Sequence, residues 1–265
     1  MAFWCHILVS GEGTTDAPDS AWPLAEGRDV GMIEAFTDTL LRHLCAAEYQ
    51  KPEYTSLPAR SLNFRVRGEK LETKYAALLR LAMIHADQLG CSAVAYVVDC
   101  REERKDNEQF RALREVRQET EDRWGTWREE GLVAEAEPPP TALGTAIHEI
   151  EAWLLADGHG AVKVLDKLKP SEFPNKAAEG MGDPKEDAMC PDEDAKRGWR
   201  PLVRRHCRRS GSGLSEAEAR VQVARAVRPA LLRERCPRGY DPFADEVEEY
   251  ILPLVCPQQR GRRRT

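Results

Sequence analysis

At 265 residues, 42% hydrophobic and 32% charged, the sequence has the balance of a charge-rich globular chain, long enough for one large domain or two smaller ones. No apolar run approaches the roughly 20 residues that cross a bilayer, and no basic segment leads into a long apolar core at the start, so the expectation is a cytoplasmic chain without a membrane partner. The formal net charge of -6 disfavours attraction to nucleic acid through overall charge alone.

The first apolar run, residues 3–9, reads as a strand. It stops in the small, glycine-rich turn Ser10-Gly11-Glu12-Gly13-Thr14-Thr15-Asp16. Glycine permits a backbone path that a Cβ would block, so the turn presents Glu12 at the C-terminal edge of the strand. In open α/β sheets that edge is where ligands usually bind. Residues 17–30 are turn-forming. From Val30 to Ala47 apolar residues recur at three and four positions, the spacing of an amphipathic helix. A loop bracketed by Pro52 and Pro58 follows. Ser61–Val66 alternates apolar and polar as a half-buried strand does. Lys70–Leu89 reads as a helix, with Gly90 as its C-terminal cap.

Ala93–Asp99 is a continuous apolar strand ending in an acid, the pattern of a central parallel strand buried on both faces. Arg104–Arg128 reads as a charged helix, Leu132–Ala136 as a short edge strand, and Pro138–Pro140 as a stiff connector. Thr145–Asp157 reads as a helix with an acid-bearing face. Further helices are expected over 161–168, 193–209, 215–232 and 243–254, with a long loop over 180–191. The alternation of strand and helix implies right-handed crossovers and a mostly parallel sheet. The reading is an α/β core over residues 1–157 with a helical C-terminal extension over 158–265. None of the eight cysteines forms a C-x-x-C pair, and the expectation is reduced structural thiols.

Glu12 and Asp99 each follow a strand, and a parallel sheet brings both to one edge. Neighbouring carboxylates repel unless they share a proton or a cation. Hard oxygen ligands suit magnesium or manganese, and a metal held by few carboxylates keeps positions open for phosphate oxygens. On the expected helix 145–157, His148 and Glu151 lie three apart on one face, so Glu151 is a further candidate ligand. The bland alternatives are an acid capping a helix and a solvated helix face. The basic run Lys196, Arg197, Arg200, Arg204, Arg205, Arg208 and Arg209 could track a nucleic-acid backbone, with Trp199 and His206 able to stack on a base.

Taken together, I-L-V-S-G-E-G-T-T-D, the strand ending in Asp99, and I-H-E-I-E-A-W-L-L-A-D resemble a TOPRIM-like family from bacterial anti-phage loci, often found beside an AAA ATPase. The similarity extends to Asp183-Pro184-Lys185 and Cys236-Pro237. The resemblance implies a TOPRIM-like, Rossmann-like fold that binds magnesium through a first-turn glutamate, here Glu12, and a later D-x-D, whose first aspartate is Asp99. The second aspartate falls on Arg101, a departure that opposes metal binding by repulsion. Glu102, Glu103 or Glu151 would then supply the missing charge.

The leading expectation is a magnesium- or manganese-dependent nuclease acting on DNA or RNA in defence, with an ATPase partner. Glu12 and Asp99 are its catalytic residues. Glu12, Asp99, Glu102, Glu103 and Glu151 are its metal ligands. Arg101, Lys185, Arg200, Arg204, Arg205 and Arg208 contact nucleic acid. Two rivals stand beside it: a catalytically degenerate module that binds a partner, and another phosphoryl-transfer enzyme using Asp99 as nucleophile.

Overall fold

A computed structural model describes residues 5–11, 31–57, 71–100, 106–181, 184 and 197–256. The chain forms two compact units. One comprises Met1–Val98, Asn107–Gly144 and Asp245–Thr265; the other comprises Asp99–Asp106 and Thr145–Ala244.

The first unit is built on a four-stranded, all-parallel sheet in the order β2-β1-β3-β4. Its strands are β1 (His6–Gly11), β2 (Glu53–Ser56), β3 (Ala93–Cys100) and β4 (Thr141–Ile147). Helix α1 (Met32–Cys45) links β1 to β2, α2 (Leu71–Gln88) links β2 to β3, and α3 (Asp106–Glu129) links β3 to β4. The first crossover runs one way along the sheet and the next two run the other way. Right-handed connections therefore put α1 on one face and α2 with α3 on the opposite face. The side chains agree: Leu8, Val94, Tyr96, Val98 and Leu143 pack with Leu78, Leu79 and Met83 of α2 and with Leu113, Trp124 and Trp127 of α3. Ile7 and Val9 alternate to the other face, and α1, which lies against β1, buries Met32, Ile33, Phe36 and Leu40. This is a Rossmann-like α/β arrangement with helices on both faces of the sheet.

Several expectations hold at the level of elements. β3 is buried along nearly its whole length. Helix α2 ends as its cap predicts: Gly90 has φ +67°, its amide donates to Asp87, and the Cys91 amide donates to Ala86 at 2.8 Å. Others are corrected. The segment between Pro52 and Pro58, read as a loop, contains β2. The strand expected over 61–66 lies outside the described residues. Leu132–Ala136 is a turn and bend segment, not an edge strand. Its backbone groups have side-chain partners instead: the Asp87 carboxylate accepts from the Ala134 and Glu135 amides, and the Trp124 indole donates to the Glu135 carbonyl.

The largest correction concerns 145–157. β4 takes residues up to Ile147, and the helix is only α4 (Glu151–Ala156). Every residue of β4 is buried, so the strand shows no alternation to mark it. His148, with φ +60°, sits in the turn between them, so His148 and Glu151 do not share a helix face.

The second unit is otherwise helical: α4, α5 (Gly158–Ala161), α6 (Trp199–Ser210), α7 (Glu216–Ala226) and α8 (Pro229–Arg235). Residues 162–169 are turns and not the expected helix. The expected helix 215–232 is two helices. Arg228 precedes a proline, which drives it out of the helical region to φ -101°, ψ 113°, and Pro229 then opens α8. Helix α9 (Tyr240–Glu246) runs on through a π-helical stretch (Val247–Ile251) into α10 (Leu252–Val255).

Two of the cysteines are not reduced thiols. Cys45, at the end of α1, and Cys256, just after α10, form a disulfide within the first unit. Cys5 and Cys91 are buried thiols, and burial lifts them to about 11 and about 12. No described helix is long and apolar enough to cross a membrane.

Candidate functional site

Asp99, the penultimate residue of β3, is half-buried, and its Oδ1 accepts the Ile150 amide at 3.1 Å. Cys100 beside it accepts the His148 amide through its carbonyl at 2.7 Å. The end of β3 is thus tied to the turn that leads into α4. Ile150 is the N-cap of that helix, so Asp99 does what an acid at a helix start does and satisfies an otherwise partnerless amide. The same bond fixes the carboxylate's orientation, as metal-bound carboxylates generally require.

Glu151, the first residue of α4, is 1% exposed. Its Oε1 lies 2.8 Å from Nη2 of Arg220 on α7, a side chain also buried. Arg220 pairs in turn with Glu216 one helical turn earlier, and Glu216 accepts Arg200 Nε at 3.2 Å through both oxygens. The result is a chain of alternating charges from interior to surface. A buried carboxylate already neutralised by a guanidinium has little attraction left for a divalent cation.

Asp157 closes α4 and is fully buried. Arg228 grips it bidentately, Nε to Oδ2 at 2.9 Å and Nη2 to Oδ1 at 2.7 Å, while the Gly160 and Arg228 amides donate at 3.0 Å. Burial pushes its carboxyl up, but the Arg228 guanidinium and the two amides outweigh burial and hold it below the ordinary aspartate range. The glycines that follow are required by packing. A Cβ on Gly158 would stand 2.7 Å from the Pro170 carbonyl, and one on Gly160 would stand 2.8 Å from the Val227 Cα. Trp153 stacks on Phe243 with centroids 5.6 Å apart and meets Tyr240 edge-on at 5.2 Å. The stretch E-A-W-L-L-A-D-G-H-G therefore explains itself as the centre of the second unit: two acids pinned by arginines, one tryptophan in an aromatic nest, and two glycines where backbones meet.

The basic run divides by burial. Arg205 is buried and pairs with Glu172 at 2.9 Å; Arg209 reaches the same carboxylate at 3.1 Å. Burial pushes Glu172 up, but the Lys169 amide and the two guanidiniums prevail and hold it below the ordinary range. Arg200 is turned to Glu216. Arg197, Arg204 and Arg208 are exposed on the outer side of α6 and its approach. Trp199 and His206 are buried, so neither is a stacking platform for a base. Glu12, Arg101, Glu102, Glu103 and Lys185 lie outside the described residues. Among the described residues no three His, Cys, Asp or Glu side chains converge as a metal site would require. A cavity of about 390 Å³, lined by Asp87, Cys91, Ser92 and Pro138–Pro140, lies by the N-terminal ends of β3 and β4 and contains none of the candidate residues.

Comparison of the chain with protein-family models, with curated proteins and with solved structures finds no match. Sequence reasoning missed Arg220 and Arg228, the partners of Glu151 and Asp157. The Glu216–Arg220 spacing of four marked Arg220 as a pairing arginine; Arg228 carried no such signal.

Proposed function

We propose that this chain hydrolyses phosphodiester bonds in nucleic acid with magnesium or manganese held by Glu12 and Asp99. One observation carries the reading. The strand order reverses between β1 and β3, and in open parallel sheets ligands bind beyond the C-terminal ends of the strands at such a reversal. Gly11 at the end of β1 is in register with Val97 of β3. The glutamate of the G-E-G turn is the next residue after Gly11, and Asp99 comes two residues after Val97.

A divalent ion bound there would activate water and neutralise the leaving oxygen. Asp99 suits the task as a half-buried carboxylate oriented by the Ile150 amide. Glu12 serves as ligand or general base, and Glu102 or Glu103 completes the donor set in place of the aspartate that Arg101 displaces. Glu151 is left out of the ligand set, because Arg220 neutralises it. Exposed Arg204 and Arg208, with Arg101 and Lys185, supply phosphate contacts; Arg205 does not, being paired inside. The TOPRIM-like resemblance adds the anti-phage setting and an ATPase partner to the proposal.

Calorimetric titration with magnesium and manganese, followed by nuclease assays on the same samples, tests this. The expected outcome is metal binding by the wild type that Asp99→Asn removes, with cleavage lost in Asp99→Asn and Glu12→Gln but kept in Glu151→Gln. Cleavage that survives both of the first two substitutions overturns it. The second reading, a degenerate module that binds a partner, is favoured by the Asp99–Ile150 bond, which gives Asp99 a capping role without metal. Absence of metal binding in the wild type together with a stable complex with an ATPase partner would select it.

A further inference from the structure

We propose that the Cys45–Cys256 disulfide is a redox-operated clasp that holds α10, the last described helical turn of the first unit, against α1 when oxidised and loosens it when reduced. The inference goes beyond the proposed hydrolysis and does not depend on it.

The two sulfurs are 211 residues apart in the sequence. They join the C-terminus of α1 to the residue just after α10, and α10 lies against α1. Both cysteines are buried, at 3% and 2% exposure. The segment from Asp245 to Cys256 has two anchors of different chemistry. Its start is held by Glu246, fully buried between Arg114 and Arg117, and by Tyr250, on whose ring Arg117 stacks at 4.2 Å. Its end is held by the disulfide and by the apolar residues Ile251, Leu252 and Val255. Only four residues, Leu252–Val255, separate the π-helical stretch from Cys256. Breaking the covalent anchor therefore leaves the last described turn held only by the apolar contacts of Ile251, Leu252 and Val255, while the Glu246 anchor keeps the segment attached. Local opening of a short helical turn costs less than global unfolding, and such opening also gives a reductant access to buried sulfur.

Three of the other described thiols do not compete. Burial raises Cys5, Cys91 and Cys236, which keeps them protonated and unreactive at neutral pH. Opening requires a dithiol. One of its thiolates attacks Cys45 or Cys256 Sγ and expels the other cysteine as a thiolate that takes up a proton. The second dithiol sulfur then resolves the mixed disulfide and releases the first cysteine. The dithiol leaves as a cyclic disulfide, having given up two electrons and two protons. Closing requires a low-molecular-weight disulfide, such as oxidised glutathione, which accepts the same two electrons and leaves as two thiols.

The test uses the full chain equilibrated with oxidised glutathione or with dithiothreitol. Peptide mapping without reduction should give a fragment linking Cys45 to Cys256, absent after dithiothreitol. Amide exchange over 247–256 should quicken about tenfold or more on reduction, while exchange in α7 and α8 stays unchanged. Reoxidation should reverse it, and Cys256→Ser should exchange like the reduced wild type under both conditions. Failure to find the linked fragment in the glutathione-treated chain overturns the proposal. So does exchange over 247–256 that is the same in both redox states, which would make the bridge an inert staple. Because the comparison is between two states of the wild type, a variant that fails to fold leaves the result intact.

Discussion

At the scale of single residues, two of the acids that look chemical in the sequence, Glu151 and Asp157, are held by arginines inside the second unit. Asp157 shows the cost of reading a motif without its partners: the guanidinium that fixes it lies 71 residues further along. The pairing has a pH signature. Its carboxyl is held below the ordinary value, so the stabilisation is complete above the unfolded aspartate value of about 3.9 and is lost as pH falls through the lower folded value. Asp157→Asn should destabilise the protein by about 2 kcal/mol at pH 7, a figure kept low because Arg228 is half exposed and regains water when released. Urea unfolding at pH 7 and pH 3 should show that difference shrinking in acid. An equal loss at both values would mean the charge on Asp157 is not what matters. Glu12 and Asp99 were legible as candidates because each ends an apolar strand. What Glu151 does was not, because its partner is set by the packing of α7 and not by neighbours in sequence.

Elements were legible where burial is one-sided and poorly legible where it is complete. α2 and α3 each keep a face that is at least partly wet, so their apolar residues recur at helical spacing; α1 shows the same spacing because polar Glu34, Thr37 and Asp38 interrupt its apolar residues, although they too are buried. β3 is apolar without interruption and stood out by its length and β-branched content. β4 is equally buried but is made of Thr, Ala, Leu, Gly and Ile, and that mixture reads equally well as helix. The glycines sort the same way and allow a paired test. Gly160→Ala forces a Cβ against the Val227 and Ala226 backbone at 2.8 Å and should cost about 2 kcal/mol. Gly125→Ala, in the middle of α3 with nothing within 4 Å, should stabilise by roughly 0.5–1 kcal/mol through helix propensity. Thermal melts of the two variants should shift in opposite directions. A stabilised Gly160→Ala would mean the α5 turn is free to move away from residues 226–227.

For the whole molecule, the border between units did not show in composition or linkers, because the chain leaves the first unit and later returns to it. What draws it back is local chemistry: Glu246 enters the first unit as a buried carboxylate, meets Arg114 and Arg117, and accepts the Leu143 amide of β4. Glu246→Ala should leave Arg117, only 7% exposed, without its main counter-charge and cost about 3 kcal/mol. Amide exchange should then rise in α3 and over 245–256 ahead of α7; a rise confined to α7 and α8 would contradict this assignment of the segment.

The return of Asp245–Cys256 to the sheet unit also orders events at the ribosome. Translation supplies the strands of that unit early, yet the helical segment that closes it emerges only after Thr145–Ala244 has been made. The second unit, apart from Asp99–Asp106, is contiguous and can form as it emerges, whereas the sheet unit must wait with the part of α1 that α10 covers left exposed. Slow translation through the later part of the message would lengthen that exposure. The nascent sheet, rather than the helical unit, is then the natural client for chaperones during synthesis.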